Sequence, residues 1–247
     1  MTNFNRGVNR DFDDTELKED VSSKPAGDVV RVELDDGISA FRPTLAMKDD
    51  GLEGERGLGP LLSQHLVFPP GSGGLTADEC DAVRNLAANH EQLARPALLA
   101  GAHYRPDYRR SSVAWLELTT NTQWLFRRAF SLAYAANIIG GWNFDIKGPA
   151  ERLQLTTYLD SERGMFDWHL DLGPGYASTR KITVVIEVTT PARGGFLQFS
   201  PGPNPRSVIA RTGSGVAFPS YLPHRLTQVT AGRRLSVVAW VCGPQFR

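Results

Sequence analysis

Trp168-His169-Leu170-Asp171 sets an imidazole and a carboxylate two residues apart. On an extended strand, residues two apart share a face, so His169 and Asp171 project together while Trp168 and Leu170 face the other way. Such a pair makes two corners of a metal-binding face, and the third corner must come from a distant residue on a neighbouring strand. Of the five histidines, His65, His90, His103, His169 and His224, only His224 falls in the late, β-rich part of the chain. It opens a strand after Pro219-Ser220-Tyr221-Leu222-Pro223. Taken singly, His-x-Asp also reads as a surface or hydrogen-bonded pair, and His224 as a turn residue satisfying a backbone carbonyl. His90, late in a helix, reads as a C-terminal cation, and His65 and His103 read as structural or exposed.

Two histidines and one carboxylate leave three positions open on an octahedral ion, the arrangement associated with non-haem Fe(II) oxygenases. Ten residues beyond His224 stands Arg234, in Gly232-Arg233-Arg234-Leu235-Ser236. A guanidinium at the base of a cavity forms a bidentate pair with a carboxylate. 2-Oxoglutarate carries such a carboxylate at the end remote from the metal. Arg234 and Ser236 share one strand face, so the serine hydroxyl adds a second donor. The alternative for Arg234 is a surface arginine on an edge strand, which is the assignment made for Arg233.

Short strands and two helices must position these residues. Leu66-Val67-Phe68 is a short strand stopped by Pro69-Pro70. Thr76-Ala77-Asp78-Glu79 fits a capping box opening a helix, with Cys80, Val83, Leu86, Ala87 and Leu93 on its apolar face. Ser112 to Leu118 reads as a strand. A second helix runs from about Thr122 to Ile138, with Trp124, Leu125, Ala129, Leu132 and Ala136 as its buried stripe and Gly140-Gly141 as its end. From Leu153 onward, eight short β-rich runs are separated by Gly and Pro clusters. They are Leu153–Leu159, Phe166–Leu170, Ile182–Val188, Phe196–Phe199, Ser207–Ala210, Gly215–Phe218, Arg225–Val229 and Leu235–Val241. The expected fold is mainly β with bracing helices, a double-stranded β-helix or jelly roll.

The chain has 247 residues, balanced between 27 basic and 27 acidic side chains. No global basic field marks a nucleic-acid or membrane partner, and no stretch approaches the ~20 apolar residues of a membrane span. Residues 1–60 carry 14 acidic and 8 basic side chains, a net −6, and read as a partly disordered acidic extension. Residues 61–247 form the expected catalytic body, with Val30-Arg31-Val32-Glu33-Leu34 as one alternating run in the extension. Cys80 and Cys242 are too few for a disulfide framework. Together with a polar N-terminus lacking an apolar core, they place the protein in the cytoplasm. Nothing in the sequence sets the oligomeric state.

The chain resembles the prolyl 4-hydroxylase-like branch of the Fe(II)/2-oxoglutarate dioxygenases, particularly its bacterial PKHD-type members. The matching pieces run in order over roughly residues 62–246. They are Arg109-Arg110-Ser111-Ser112-Val113-Ala114-Trp115-Leu116, Trp142-Asn143-Phe144-Asp145-Ile146, Leu153-Gln154 with Tyr158, and the Trp168-to-Asp171 motif. Arg180-Lys181-Ile182-Thr183, Gly194-Gly195, Phe218-Pro219-Ser220 with His224, and Val229-Thr230-Ala231-Gly232-Arg233-Arg234 with Trp240 complete the set.

The resemblance implies that His169, Asp171 and His224 bind Fe(II) and that Arg234, with Ser236, binds the 2-oxoglutarate 5-carboxylate. Tyr158 would hydrogen-bond the same carboxylate, a core tyrosine being the alternative. It further implies O2 as co-substrate, ascorbate as a reductant that many members need, and succinate, CO2 and a hydroxylated product. The primary substrate would be an amino acid, a peptide or protein side chain, or a natural product. Related halogenases replace the metal carboxylate with a small residue, so Asp171 favours hydroxylation. Arg110, Trp115, Trp142 and Arg180 are expected rim residues. Glu187 departs from the pattern: if it faces inward it needs a partner, which a substrate amine would supply, a solvated glutamate being the alternative. Phe196 also departs, standing where many relatives carry an acidic residue. Two rival readings are a non-catalytic jelly-roll binding or sensing protein with a vestigial metal site, and a cupin-like enzyme that uses a metal without 2-oxoglutarate.

Overall fold

The computed structural model describes residues 65–99, 103–199 and 203–246, together with the backbone strands β1, Val29–Glu33, and β2, Ser39–Pro43. Expectations for residues 1–28 and 44–60 lie outside the described residues.

The remaining strands of three or more residues are β3 (Leu66–Phe68), β4 (Ser112–Leu116), β5 (Leu153–Leu159), β6 (Met165–His169), β7 (Arg180–Thr189), β8 (Leu197–Phe199), β9 (Gly215–Pro219), β10 (His224–Leu226), β11 (Val229–Ala231) and β12 (Arg233–Cys242). The large antiparallel sheet runs β1-β2-β3-β9-β7-β12-β5-β4, with Arg95–Pro96 at its far edge. The smaller sheet runs from Arg206–Ser207 through β8, β10 and β6 to Arg109–Arg110. From β5 to β12 the chain alternates between the sheets, which is the winding of a double-stranded β-helix. Val30–Glu33 of the alternating run lie in strand β1, which pairs with β2, and β2 joins the large sheet where Phe41 pairs with Val67.

Helix α1, Ala77–Asn89, begins at the expected capping box: Thr76 Oγ1 accepts from Glu79 N–H at 3.2 Å, and Glu79 Oε2 accepts from Thr76 N–H at 2.8 Å. It ends one turn earlier than its apolar spacing suggests. His90 is the C-cap, and Leu93 sits in a 3-10 turn and is exposed. Helix α2, Gln123–Ile139, ends at Gly140. No helix among the described residues is long and apolar enough to cross a membrane.

Both helices brace one face of the large sheet. Leu153, Leu155, Ile182, Val184, Ile186, Leu235, Val237, Ala239 and Val241 alternate toward that face and join Val83, Leu125, Ala129, Leu132 and Ala136 in one buried cluster. The strands are apolar on this side because burying each such side chain contributes about 1.5–3 kcal/mol. Gly194 allows the turn between β7 and β8. Its φ is +73°, and a Cβ there would lie 2.1 Å from the Gln228 carbonyl oxygen.

The opposite face of the same strands carries Gln154, Thr156 and Tyr158 on β5, Thr183, Val185 and Glu187 on β7, and Arg234, Ser236, Val238 and Trp240 on β12. The pairing register places Arg234 against Tyr158, Ser236 between Thr156 and Glu187, and Trp240 against Thr183. Buried polar side chains gathered on one face, opposite a wholly apolar one, mark the floor of a site.

Candidate metal centre

His224 and His169 are direct cross-strand partners on β10 and β6. Their ring centroids lie 4.1 Å apart. Strand β6 stops at His169, so strand alternation does not extend to Leu170 and Asp171. A bend carries Asp171 inward, held by hydrogen bonds from its N–H and that of Leu172 to the Ser220 carbonyl, at 3.0 and 2.9 Å. Leu170, expected to point away, therefore also lines the cavity.

His169 Nε2 is 3.8 Å from Asp171 Oδ1, and His224 Nε2 is 3.6 Å from Asp171 Oδ2. One ligand atom from each of the three residues lies within 4.8 Å of the others. The far nitrogens settle the tautomers. His169 Nδ1 contacts the Asp167 carbonyl at 2.8 Å and His224 Nδ1 the Leu222 carbonyl at 2.9 Å. A carbonyl only accepts, so each Nδ1 carries the proton and each Nε2 presents a lone pair. Two lone pairs and a carboxylate then face one another with no proton between them. A cation at their centre resolves that repulsion, so the donor set fits Fe(II) or another divalent ion.

Burial, and then the neighbouring His224, lower His169 to about 3, which keeps it a neutral ligand at neutral pH. Burial pushes the Asp171 carboxyl up, but it lies below its ordinary value, and the Thr183 hydroxyl that donates to it favours the charged form. Thr183 Oγ1 donates to Asp171 Oδ2 at 2.8 Å and is itself 3.0 Å from Ser220 Oγ. The Trp240 indole faces the same carboxylate but closes no hydrogen bond. Phe166 stacks on His169 at 3.5 Å, and Phe218 meets His224 edge-on at 4.6 Å, which fixes both rings.

The three ligands open into a cavity of about 610 Å³, a size suited to small organic ligands. Arg234, Tyr158 and Ser236 line it too. Arg234 Nη1 donates to Ser236 Oγ at 3.2 Å, and its guanidinium carbon lies 5.6 Å from the Tyr158 ring centroid. The Tyr158 hydroxyl makes no hydrogen bond to another described residue.

The expected rim residues divide. Trp115 lines the cavity, near Trp240 and under Arg152. Arg180 lines it as well, but its guanidinium is engaged: Nε and Nη2 donate to the two Glu151 carboxylate oxygens at 2.6 Å each, Nη1 donates to the Asp171 carbonyl at 3.1 Å, and the plane covers Trp240 at 3.9 Å. It supports the Asp171 bend and offers little to a substrate. Arg110 points away, donating to the Arg163 and Pro106 carbonyls. Trp142 is buried in the core beneath the end of α2, against Phe144. Glu187 does not reach the cavity lumen: it is buried and pairs with Arg234 through Nη2, so the partner it requires is supplied by the protein. Arg109, Gln154, Thr156 and Phe166 line the cavity without having been singled out. Strand alternation on β5 marks Gln154 and Thr156 once Tyr158 is placed.

No protein-family model and no curated protein sequence matches the chain. Solved structures do share its fold. A prolyl-4-hydroxylase from Pseudomonas putida is 19% identical, with a TM-score of 0.56 over 73% of this chain and 93% of that one. A prolyl hydroxylase from Trichoplax adhaerens, solved with a hypoxia inducible factor peptide fragment, is 18% identical, with a TM-score of 0.60 over 72% and 83%. A non-haem α-ketoglutarate-dependent epimerase from nogalamycin biosynthesis is 15% identical, with a TM-score of 0.55 over 72% and 76%. The fold is thus the double-stranded β-helix seen in prolyl hydroxylases and other 2-oxoglutarate-dependent oxygenases.

Proposed function

We propose that the protein is an Fe(II)- and 2-oxoglutarate-dependent dioxygenase that hydroxylates an amino acid, a peptide or protein side chain, or a natural product. The observation that carries the reading is the convergence of two Nε2 lone pairs and the Asp171 carboxylate on one point, in a cavity whose floor also holds Arg234. His169, Asp171 and His224 hold the metal. Arg234 and Ser236 receive the far carboxylate of 2-oxoglutarate, with the Tyr158 hydroxyl as a further donor. The bound iron supplies, with 2-oxoglutarate and O2, the oxidative decarboxylation to succinate and CO2 that is coupled to substrate oxidation.

The chain's own residues bind and orient. Thr183 and the Arg180–Glu151 pair fix the Asp171 side chain and backbone. Phe166, Phe218 and Val185 exclude water beside the ligands, which strengthens charge interactions there. The Asp171 carboxylate fills the position that a halide would need. A reductant such as ascorbate fits a metal that must remain ferrous, and the two free, buried cysteines fit a reducing cytoplasm.

The test is succinate formation from 2-oxoglutarate by the purified protein with Fe(II), slow without a primary substrate. His169→Ala and Asp171→Ala abolish it. Arg234→Ala raises the 2-oxoglutarate requirement, because it removes binding rather than chemistry, and also destabilises the fold by unpairing Glu187.

A further inference from the structure

Four arginines contribute to the cavity wall: Arg109, Arg180, Arg225 and Arg234. Arg180 is matched by Glu151 and Arg234 by Glu187. Arg225 is half-buried, stacked over Trp168 and bonded to Gln198. Arg109, like Arg225, has only neutral partners, but it is far more deeply buried, at 8% exposed. Nε donates to Ser111 Oγ at 2.9 Å, Nη2 donates to Gln154 Oε1 at 3.1 Å, and the guanidinium carbon sits 4.4 Å from the centroid of the Phe166 ring. No carboxylate pairs with it among the described residues, and its Nη1 donates to none of them.

A guanidinium keeps its proton in a protein. Neutral acceptors and an aromatic face ease its burial, yet they leave a full positive charge in a site of low dielectric. A buried charge ordinarily carries a counter-charge. Among the described residues the counter-charge is missing, and the group lines the cavity. The position is also telling. Phe166 is stacked on His169 at 3.5 Å on one hand and covered by Arg109 at 4.4 Å on the other, so the guanidinium carbon lies within about 8 Å of the His169 ring. Arg109 pairs with Phe166 on the smaller sheet, whereas Arg234 stands on the floor formed by the large sheet. The two cations belong to different walls of one hollow.

We propose that Arg109 receives a carboxylate of the primary substrate, so that the substrate is a small carboxylic acid of amino-acid size rather than an uncharged residue inside a peptide. The proposal rests on the oxygenase reading, since Arg234 must be the group that takes the 2-oxoglutarate carboxylate. An acid held at Arg109 would set its carbon chain beside Phe166 and toward His169, close to the metal that the three ligands would hold. Gln154 and Ser111 hold the guanidinium in the plane that a bidentate carboxylate requires.

The experiment uses the full chain loaded with Mn(II) and excess 2-oxoglutarate, with butyrate and butyramide as probes. The readout is enhanced relaxation of each probe's protons by the nearby Mn(II). The 2-oxoglutarate signals in the same tube report whether metal and co-substrate are in place, and their absence would point to failure of the oxygenase reading. Butyrate is expected to be relaxed and butyramide not. Arg109→Gln should weaken butyrate binding at least tenfold, and Arg109→Lys, which keeps the charge, should retain part of it. Far-ultraviolet circular dichroism checks that each variant is folded. Equal relaxation of acid and amide, no relaxation of either, or butyrate binding unchanged in Arg109→Gln would overturn the proposal.

Discussion

Arg234 and Glu187 form a buried ion pair between adjacent strands of the large sheet, 3% and 4% exposed. The Glu187 Oε2 atom is buried without a hydrogen-bond partner, so the carboxylate depends on Arg234 for nearly all its compensation. The pair holds the guanidinium in place before any ligand arrives.

Breaking the pair from one side leaves an uncompensated charge. Glu187→Ala and Arg234→Ala should each cost about 3–5 kcal/mol of stability, whereas the double replacement Glu187→Met/Arg234→Met should fall much nearer the parent protein. Urea denaturation of the three variants checks this. Additive losses in the double variant would show that the two groups do not compensate each other.

Thr183 holds Asp171 through a 2.8 Å hydrogen bond and is itself fully buried. Thr183→Val keeps the shape and removes the donor. Supporting hydrogen bonds of this kind typically contribute about 10–100-fold to metal affinity. A Mn(II) titration followed by electron paramagnetic resonance should show a loss of that order with the melting temperature little changed. Unaltered affinity would mean that the backbone alone sets the carboxylate.

His65 stacks on Phe199 at 4.7 Å, and burial, followed by the nearby Arg206, lowers it to about 4. In the unfolded chain it titrates near 6.5. Below that pH the unfolded chain takes up a proton that the folded chain refuses. Stability present above pH 6.5 is therefore lost as the pH falls toward 4, by up to roughly 3 kcal/mol. Urea midpoints at pH 7.5 and pH 5 should drop more for the parent than for His65→Phe, which keeps the stacking and cannot titrate. Parallel pH dependence in the two proteins would assign the acid sensitivity to other groups, His169 among them.

Much of the architecture was legible because local signals agreed with it. The capping box at Thr76, the run Leu66–Phe68 and the strand Leu153–Leu159 are where the sequence pattern puts them. The spacing of His169 and Asp171 placed them side by side, although a bend rather than continued strand geometry brings Asp171 in. What escaped depends on register between strands. Glu187 meets Arg234 because β7 and β12 pair with Glu187 opposite Ser236, two residues from Arg234, and no single-strand pattern shows that. Arg109 and Arg110 are adjacent, and a one-residue shift exchanges the side chain that faces the cavity for the one that faces out. A two-residue strand gives no periodicity from which to choose. Trp142, grouped with the rim, lies in the core because α2 ends at Gly140 and folds the chain beneath its own last turn.

The most direct measurement is an anaerobic titration of the purified protein with Fe(II) and then with 2-oxoglutarate, monitored by the visible difference spectrum. Three bound side chains and one anchoring guanidinium predict one ion per chain, a new absorption band when 2-oxoglutarate is added, and loss of both in Asp171→Ala. A protein that takes up no divalent ion, or whose metal spectrum does not respond to 2-oxoglutarate, would contradict the assignment.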